Sequence, residues 1–322
     1  MQYTAVIRTL GTAGEKYQTL LNSLAAQTIQ PTAILVYIAE GHPIPKETIG
    51  MEQYIYVKKG MVSQRALQYE EVATEYILFL DDDVYLPPEG VEILYKHLKN
   101  YKANVISPDV FHNHKRSFGA EILMTLSGRM KARRWDNTWG YKVLPTGGYS
   151  YNKKPNNFIY ISQTNSGPCF LCKKEDFLKI RFEEEAWLDK MTYPIGEDQV
   201  MYYKMYLIGL KQLTLFHSGI EHLDAGSTLT NTDKVKQLLE ADCYFKTIFW
   251  HRFIQGTERN KIKRIWNILC FKYYFAFTFF SSWLKGENEI LQVKRQGIKK
   301  AYLFLHSEEY RLLPKIIRCD NL

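Results

Sequence analysis

The sequence contains few cysteines, and none of them has the spacing of a zinc site. There are five in 322 residues, and no second pair follows Cys169 and Cys172. Two buried thiols are therefore expected here, not a metal or redox site. The start of the chain also lacks the basic, apolar and small-residue pattern of a signal segment, since strand-like residues begin at Tyr3. These absences predict a protein of the reducing cytosol.

The sequence has no internal repeat and no low-complexity tract, so it does not read as a repeat array or a disordered chain. With 322 residues and an apolar fraction of 46%, it can bury a large core as one or two domains. The net charge of +8 predicts an anionic partner, and nucleotide phosphates, nucleic acid and an anionic membrane surface all qualify.

A buried strand followed by three aspartates is the most informative stretch of the chain. Five apolar residues run from Tyr76 to Leu80, and Asp81, Asp82 and Asp83 follow directly. An unbroken apolar run predicts a strand covered on both faces, and ligands bind at the carboxyl ends of such strands. Three adjacent carboxylates favour a bound Mg²⁺ or Mn²⁺. The structural alternative is an acidic turn that caps the next helix.

Strand-like and helical patterns alternate around this stretch, which predicts a parallel sheet with right-handed crossovers. The predicted strands are 4–10, 33–39, 54–57, 76–80, 104–107, 167–173 and 213–216, and the predicted helices are 15–27, 61–74, 89–99, 174–179 and 200–208. Residues 108–165 show no clear period. They are either a substrate-binding loop or lid, or ordinary loop structure with a few short helices.

A second set of polar residues follows this irregular region. Glu197 and Asp198 open a helix, where the free N–H groups and the helix dipole favour carboxylates. Beside a metal, a carboxylate in that position can also act as a general base on a hydroxyl. His222 lies on a loop after a strand and is a candidate metal ligand, and spacing alone does not separate it from His217.

With these residues in hand, the chain resembles family 2 glycosyltransferases of the GT-A fold over roughly residues 3 to 230. The ordered motifs are Val6-Ile7-Arg8-Thr9, Gln27-Thr28 with Ile34-Leu35-Val36, Ser63-Gln64-Arg65, Glu75 through Asp83, Gly196-Glu197-Asp198, and His222 with Ser227. The resemblance implies an α/β fold with a mostly parallel central sheet flanked by helices. It also implies an inverting transfer from a nucleotide sugar of the UDP, GDP or dTDP type to a glycan or lipid-linked acceptor, as in cell-surface polysaccharide synthesis.

The same resemblance assigns the metal site. Asp81 and Asp83 form a DxD motif, in which Asp83 binds Mn²⁺ or Mg²⁺ and Asp81 faces the ribose or a metal-bound water. His222 completes the site. A cation held there neutralises the diphosphate and helps the nucleotide to leave.

Donor binding and catalysis are assigned in the same way. Arg65 balances the phosphate charge, and Thr9 and Asp82 belong to the donor site. Asp198 is the base that deprotonates the acceptor hydroxyl, and Glu197 supports it or contacts the acceptor.

The chain departs from the family pattern in two places. Relatives often have Pro-Thr-Tyr-Asn where this chain has Arg8-Thr9-Leu10-Gly11. They also carry aspartates after the second strand that read the base, where Glu40 is the substitute here. The nucleotide is therefore left open.

Residues 231–322 read as a helical, basic and aromatic extension of a catalytic domain formed by residues 1–230. The stretch from Ile265 to Leu284 has the length of a membrane span, but Asn267 and Lys272 interrupt it. A helix in the interface of an anionic membrane is one interpretation, and aromatic packing on the catalytic domain is the other. The first would place the protein on the inner face of the plasma membrane. No nucleic-acid-binding module surrounds these residues, so nucleic acid is not an expected partner.

Two other functions fit parts of the sequence. A sugar nucleotidyltransferase would share the α/β layout and the metal carboxylates, but Gly11-Thr12-Ala13-Gly14 is only a faint version of its glycine-rich turn. A membrane-bound scaffold with a degenerate sugar-binding fold would have no need of Asp81, Asp83 and Asp198.

Overall fold

The computed structural model describes residues 1–110, 118–129, 138–223 and 231–320. Within these ranges the central sheet has eight strands in the order β3-β2-β1-β4-β10-β6-β11-β9, with two small two-stranded sheets formed by β5 with β12 and by β7 with β8. The strands are β1 Tyr3–Thr9, β2 Ala33–Ala39, β3 Glu52–Val57, β4 Tyr76–Asp81, β5 Val84–Tyr85, β6 Val105–Pro108, β7 Tyr141–Val143, β8 Tyr149–Tyr151, β9 Ile159–Ser162, β10 Cys169–Lys173, β11 Gln212–Leu215 and β12 Glu221–His222.

Helices cover both faces of this sheet and form most of the C-terminal region. They are α1 Glu15–Ala25, α2 Gly90–Asn100, α3 Phe118–Leu126, α4 Lys174–Leu178, α5 Glu197–Leu207, α6 Thr232–Phe249, α7 Lys261–Leu284, α8 Asn288–Leu305 and α9 Glu308–Leu312, with a 3₁₀ helix Phe182–Lys190 and a π-helical turn Trp250–Gln255. The predicted α/β class, mostly parallel sheet and helical C-terminal region are confirmed.

The parallel strands bring the carboxyl ends of β1 and β4 together, because Arg8 lies beside Asp81 in their register. The strand β10 runs antiparallel between β4 and β6, which the pattern of the sequence did not indicate. Both of its cysteines are buried free thiols, as expected. The ring of Phe170 in β10 stacks on Phe79 in β4 with centroids 4.5 Å apart, so side-chain packing also joins the reversed strand to its neighbour.

The sequence-based prediction of a helix over residues 61–74 is wrong. The chain forms a series of turns there, and Tyr69 adopts a left-handed backbone conformation with φ of 53°. The carboxylate of Asp189 accepts hydrogen bonds from the N–H groups of Val62 and Ser63, at 2.8 and 3.1 Å, and from the Ser63 hydroxyl. The backbone N–H groups of Val62 and Ser63 would have no partner in the first turn of a helix. Asp189, from a distant segment, provides their acceptor instead.

The C-terminal helices share a hydrophobic core with the α/β region. Phe245, Phe249 and Phe253 of the C-terminal region are buried in the same cluster as Trp187 and Tyr202. The aromatic residues on this inner face therefore pack on residues 1–230. No helix in the described part of the chain is both long enough and apolar enough to cross a bilayer.

Candidate active site

The site begins with an arginine inside an apolar strand. Arg8 projects from the end of β1, and its Nε lies 2.5 Å from Oδ1 of Asp81 on β4. Its guanidinium also forms an ion pair with Glu197 at the start of α5. Burial by itself would raise the pKa of Asp81, but the charges of Arg8 and Arg65 outweigh it and hold that pKa below its ordinary value. Asp81 is therefore ionised and held between two guanidinium groups.

A second, deeply buried arginine joins the three acidic side chains of the site. The guanidinium of Arg65 lies 2.8 Å from Asp198, 3.2 Å from Glu197 and 3.3 Å from Asp81. Its side chain is only 3% exposed, and it is not among the residues that line the cleft. A buried cation with three carboxylates orients them and offsets their repulsion. Arg65 therefore contacts the three carboxylates and does not reach the wall of the cleft, where the predicted contact with donor phosphates would require it.

Asp198 is held from two directions at the N-terminus of α5. Arg65 binds its Oδ1, and the backbone N–H of Gly167 donates to its Oδ2 at 3.0 Å. A Cβ on Gly167 would lie 1.8 Å from Oδ1 of Asp198, so only glycine leaves room for the carboxylate. The helix starts here because Gly196, with φ of 83°, turns the chain into it. The Asp198 side chain is 34% exposed and so remains accessible from the cleft.

Glu197 is the more buried carboxylate of the pair. Burial raises its pKa above the ordinary value, and the charges of Arg8 and Arg65 only partly offset this effect. Its Oε2 is buried without a hydrogen-bond partner among the described residues. A carboxyl with one paired and one unpaired oxygen in a low-dielectric position favours the protonated form more than an exposed glutamate does.

The middle aspartate of the triplet is bound to the first strand. The hydroxyl of Thr9 donates to Oδ2 of Asp82 at 2.5 Å. Burial and the neighbouring charges of Asp83 and Asp81 raise the pKa of Asp82 to about 6, against the hydrogen bond from Thr9. Burial is the largest cause of this rise, and the two neighbouring carboxylates add to it.

The third aspartate faces a histidine from a distant part of the chain. The strands β5 and β12 pair antiparallel, so that His222 lies opposite Val84, and the Nε2 atom of His222 is 3.0 Å from Oδ1 of Asp83. His217 is exposed and lies against Phe158 instead. The pairing of β5 with β12 thus distinguishes the two candidate histidines, which sequence spacing did not.

The donor set suits a hard divalent cation that obtains its remaining ligands elsewhere. Within the described ranges, no three His, Cys, Asp or Glu side chains converge as a complete metal cage. Asp83 and His222 supply one oxygen and one nitrogen, beside a surplus of carboxylate charge. Because Mg²⁺ usually binds through one or two carboxylates plus phosphate and water, this partial set fits a cation that arrives with a diphosphate.

A cleft of about 990 Å³ opens above these residues. Its wall contains the aspartate triplet, Glu197, Asp198 and His222, together with the cations Arg8, Lys16 and Lys59. The volume and the mixture of cations with carboxylates suit a phosphorylated ligand of nucleotide-sugar size. Of the predicted donor-site residues, Thr9, Asp81 and Asp82 line the cleft. Glu40 is exposed at the end of β2 and does not line it.

A second cavity of about 430 Å³ meets the cleft at the N-terminus of α5. Both cavities are lined by Ile195, Gly196 and Asp198. The second one is also lined by aromatic and amide side chains and by four charged ones, which are Tyr149, Tyr151, Tyr274, Asn165, Gln199, Arg129, Lys153, Asp242 and Lys246. Asp198 therefore lies between the two cavities.

Most of the predicted site residues come together in the structure, and two residues that the sequence analysis did not single out join them. Arg8 was visible only as one charged residue in an apolar strand, which is the signal that could have identified it. Gly167 had no signal, because its role depends on the position of Asp198. Ser227, part of the late motif, lies outside the described residues.

Comparison with known proteins gives a family match over part of the chain. No curated protein matches the chain. Among solved structures, it is similar to TarS 1-349 from S. aureus, with 13% identity, 87% of this chain and 72% of that chain covered, and a TM-score of 0.47. It is also similar to the mannosyltransferase PcManGT from Pyrobaculum calidifontis, solved in complex with GDP-Man and Mn2+, with 9% identity, 96% of this chain and 81% of that chain covered, and a TM-score of 0.49.

The model of glycosyl transferase family 2 matches residues 54–178, which include Arg65 and the aspartate triplet. Through this segment the chain is similar to glycosyl transferase family 2, a family of glycosyltransferases.

Proposed function

We propose that the protein is a metal-dependent inverting glycosyltransferase that moves a sugar from a nucleotide-diphosphate sugar to a hydroxyl group of an acceptor. The observation that carries this proposal is the position of Asp198 between two cavities. The cleft has the cations that suit a diphosphate beside the aspartate triplet, and the second cavity adds aromatic and amide side chains that suit a sugar to its own charged groups. A base at their boundary can act on a hydroxyl that enters from one side and attacks a carbon held on the other.

The cleft is assigned to the donor. Arg8, Lys16 and Lys59 supply positive charge for a diphosphate, and Thr9, Asp81 and Asp82 lie at its base. Asp81 already binds two guanidinium groups, so we assign it to positioning Arg8 and to the ribose or a metal-bound water. The nucleotide is of the UDP, GDP or dTDP type.

Asp83 and His222, with Asp81 nearby, would hold the Mn²⁺ or Mg²⁺. When bound, such a cation neutralises charge on the diphosphate and on the nucleotide that leaves. The protein's own contribution is to keep Asp83 and His222 together through the pairing of β5 with β12, and to keep Asp81 ionised beside two arginines.

The chemical step is a single displacement. The acceptor oxygen forms a bond to the anomeric carbon while the bond from that carbon to the diphosphate oxygen breaks, and the hydroxyl proton passes to Asp198. Attack comes from the face opposite the nucleotide, so the anomeric configuration inverts. Arg65 and the Gly167 N–H hold the Asp198 carboxylate in place for this transfer. Glu197 supports the base through the same arginine.

The second cavity is assigned to the acceptor. Tyr149 and Tyr151 offer flat faces on which a sugar ring can stack, and Asn165 and Gln199 offer amide groups for its hydroxyls. This lining supports a glycan or lipid-linked acceptor, as in a role in cell-surface polysaccharide synthesis. We place the protein in the cytoplasm, bound peripherally to the inner face of the plasma membrane.

Substituting the base tests this assignment. Asp198→Asn keeps the shape of the side chain but cannot take the proton, and loss of a general base lowers kcat about 10²- to 10⁴-fold. The measurement is release of nucleoside diphosphate from a panel of nucleotide sugars, with Asp233→Asn, at the exposed start of α6, as the matched control. Unchanged turnover in Asp198→Asn would remove Asp198 from this role, and pyrophosphate as the product would indicate a nucleotidyltransferase.

A further inference from the structure

One face of α7 is apolar and uncovered along its whole length. Its opposite face is buried through Phe271, Tyr274 and Phe275. The exposed side chains recur every three or four residues, so they form one stripe along the helix. They are Ile262, Ile265, Trp266, Leu269, Tyr273, Phe280, Trp283 and Leu284, each between 51% and 79% exposed.

The short helix α3 extends this apolar surface. Phe118, Ile122, Leu123 and Leu126 are all exposed, with Phe118 at 78%. The hydroxyl of Tyr273 donates to the backbone carbonyl of Leu126 at 2.7 Å, which joins the end of α3 to the stripe on α7. We call the exposed apolar side chains of these two helices the α3–α7 surface. Soluble chains rarely leave so many large apolar side chains together, and such patches mark interaction sites.

The charges around this surface indicate which kind of partner it binds. The helix α7 contains Lys261, Lys263, Arg264 and Lys272 and no acidic residue, and all four cations are exposed. Tryptophan and tyrosine beside cations are the composition of a helix that lies in the headgroup region of a membrane. A second copy of the chain would bring the same cations against one another, which disfavours self-association through this face.

The same two helices form part of the wall of the acceptor cavity. Met124 of α3, Arg129 just after it, and Tyr274 of α7 all line the 430 Å³ cavity. The guanidinium of Arg129 lies over the Tyr274 ring, 5.5 Å from its centroid, and so connects the two elements beside the cavity. Because Tyr274 is on the buried face of α7, the cavity lies on the inner side of the helices that carry the α3–α7 surface.

We propose that the α3–α7 surface docks on an anionic bilayer and that the adjoining cavity receives the head group of a lipid-linked acceptor. The second half of this inference rests on the proposed function. The first half stands on exposure and charge alone.

Vesicle binding by the full-length chain tests the docking. The wild type is expected to co-float with vesicles of phosphatidylcholine mixed with phosphatidylglycerol, and about tenfold less with phosphatidylcholine alone, because several cations face the lipid. Trp266→Glu is expected to lower binding to the anionic vesicles at least tenfold. Tyr56→Glu is the matched control, since Tyr56 is 51% exposed on β3 outside both cavities. Lys263→Glu is a second variant, which replaces one of the cations of α7 and keeps the apolar stripe intact.

The binding results distinguish a bilayer from a second copy of the chain as the partner of the α3–α7 surface. Equal binding of the wild type and Trp266→Glu to anionic vesicles, or no binding by either, would overturn the docking proposal. A dimer in solution that Trp266→Glu dissociates would assign the surface to a second copy instead. Asp198→Asn should bind vesicles like the wild type, so a failure of the proposed chemistry would leave membrane binding in place, and a failure of membrane binding would leave the chemistry in place.

Discussion

Asp198 shows how one side chain can be fixed by groups from distant parts of the sequence. Its carboxylate receives a guanidinium from Arg65, 133 residues earlier, and a backbone N–H from Gly167, 31 residues earlier. The two contacts use different oxygens, so the carboxylate cannot rotate without losing one of them. A base fixed in this way can face the acceptor hydroxyl in one orientation.

At the residue scale, Gly167→Ala is expected to damage catalysis more than donor binding. The added Cβ would lie 1.8 Å from Oδ1 and 2.3 Å from Cγ of Asp198, so the carboxylate must move. A displacement of that size costs about 100-fold in kcat, while the KM for the donor stays close to wild type. Steady-state kinetics with a nucleotide sugar measure both values.

Gly119→Ala serves as its control, because a Cβ at Gly119 meets nothing within 4 Å. That variant should keep the wild-type kcat. A Gly167→Ala enzyme with unchanged kcat would contradict the positioning of Asp198 described above.

At the scale of elements, a buried ion cluster joins the C-terminal region to the catalytic region. Glu185 of the 3₁₀ helix is fully buried and accepts two hydrogen bonds from Arg252, each 2.9 Å long. The Nζ atom of Lys204 in α5 lies 3.0 Å from Oε1 of Glu185. Burial alone would raise the pKa of Glu185, but the hydrogen bonds from Arg252 and the charge of Lys204 outweigh it and lower the pKa.

Glu185→Gln is therefore expected to lower the free energy of unfolding by about 3–5 kcal/mol, because the buried Arg252 loses its charged partner, and Lys204 keeps only Glu184. The substitution should also change the pH dependence. The pKa of Glu185 in the folded state lies below its ordinary value of 4.5, so the unfolded chain takes up the proton first as the pH falls. The stabilisation is present above about pH 4.5 and is lost below it.

Urea unfolding at a series of pH values between neutral and acidic tests this linkage. The wild type should lose stability more steeply below pH 4.5 than Glu185→Gln. Glu183→Gln is the matched control, since the Glu183 side chain on the same helix is 51% exposed. Parallel curves for the wild type and Glu185→Gln would show that the buried cluster does not contribute in this way.

At the scale of the whole molecule, the sequence predicts the strands and helices whose formation depends on the local pattern of residues. The unbroken apolar run before the aspartate triplet predicts a central strand, and β4 is that strand. The prediction over residues 61–74 failed, because Asp189 and a buried Arg65 impose turns on a segment whose local pattern favours a helix. The role of Gly167 and the choice of His222 over His217 depend on contacts between distant segments, which periodicity does not encode.

The central claim is that the cleft holds a nucleoside diphosphate together with a divalent cation at Asp83 and His222. Thermal unfolding of the wild type and of Asp83→Asn, each with UDP, GDP or dTDP and with or without Mn²⁺, tests it most directly. The account predicts that one nucleotide raises the Tm of the wild type only when Mn²⁺ is present, and that Asp83→Asn loses this increase. A nucleotide that stabilises both proteins equally, with and without the metal, would contradict it.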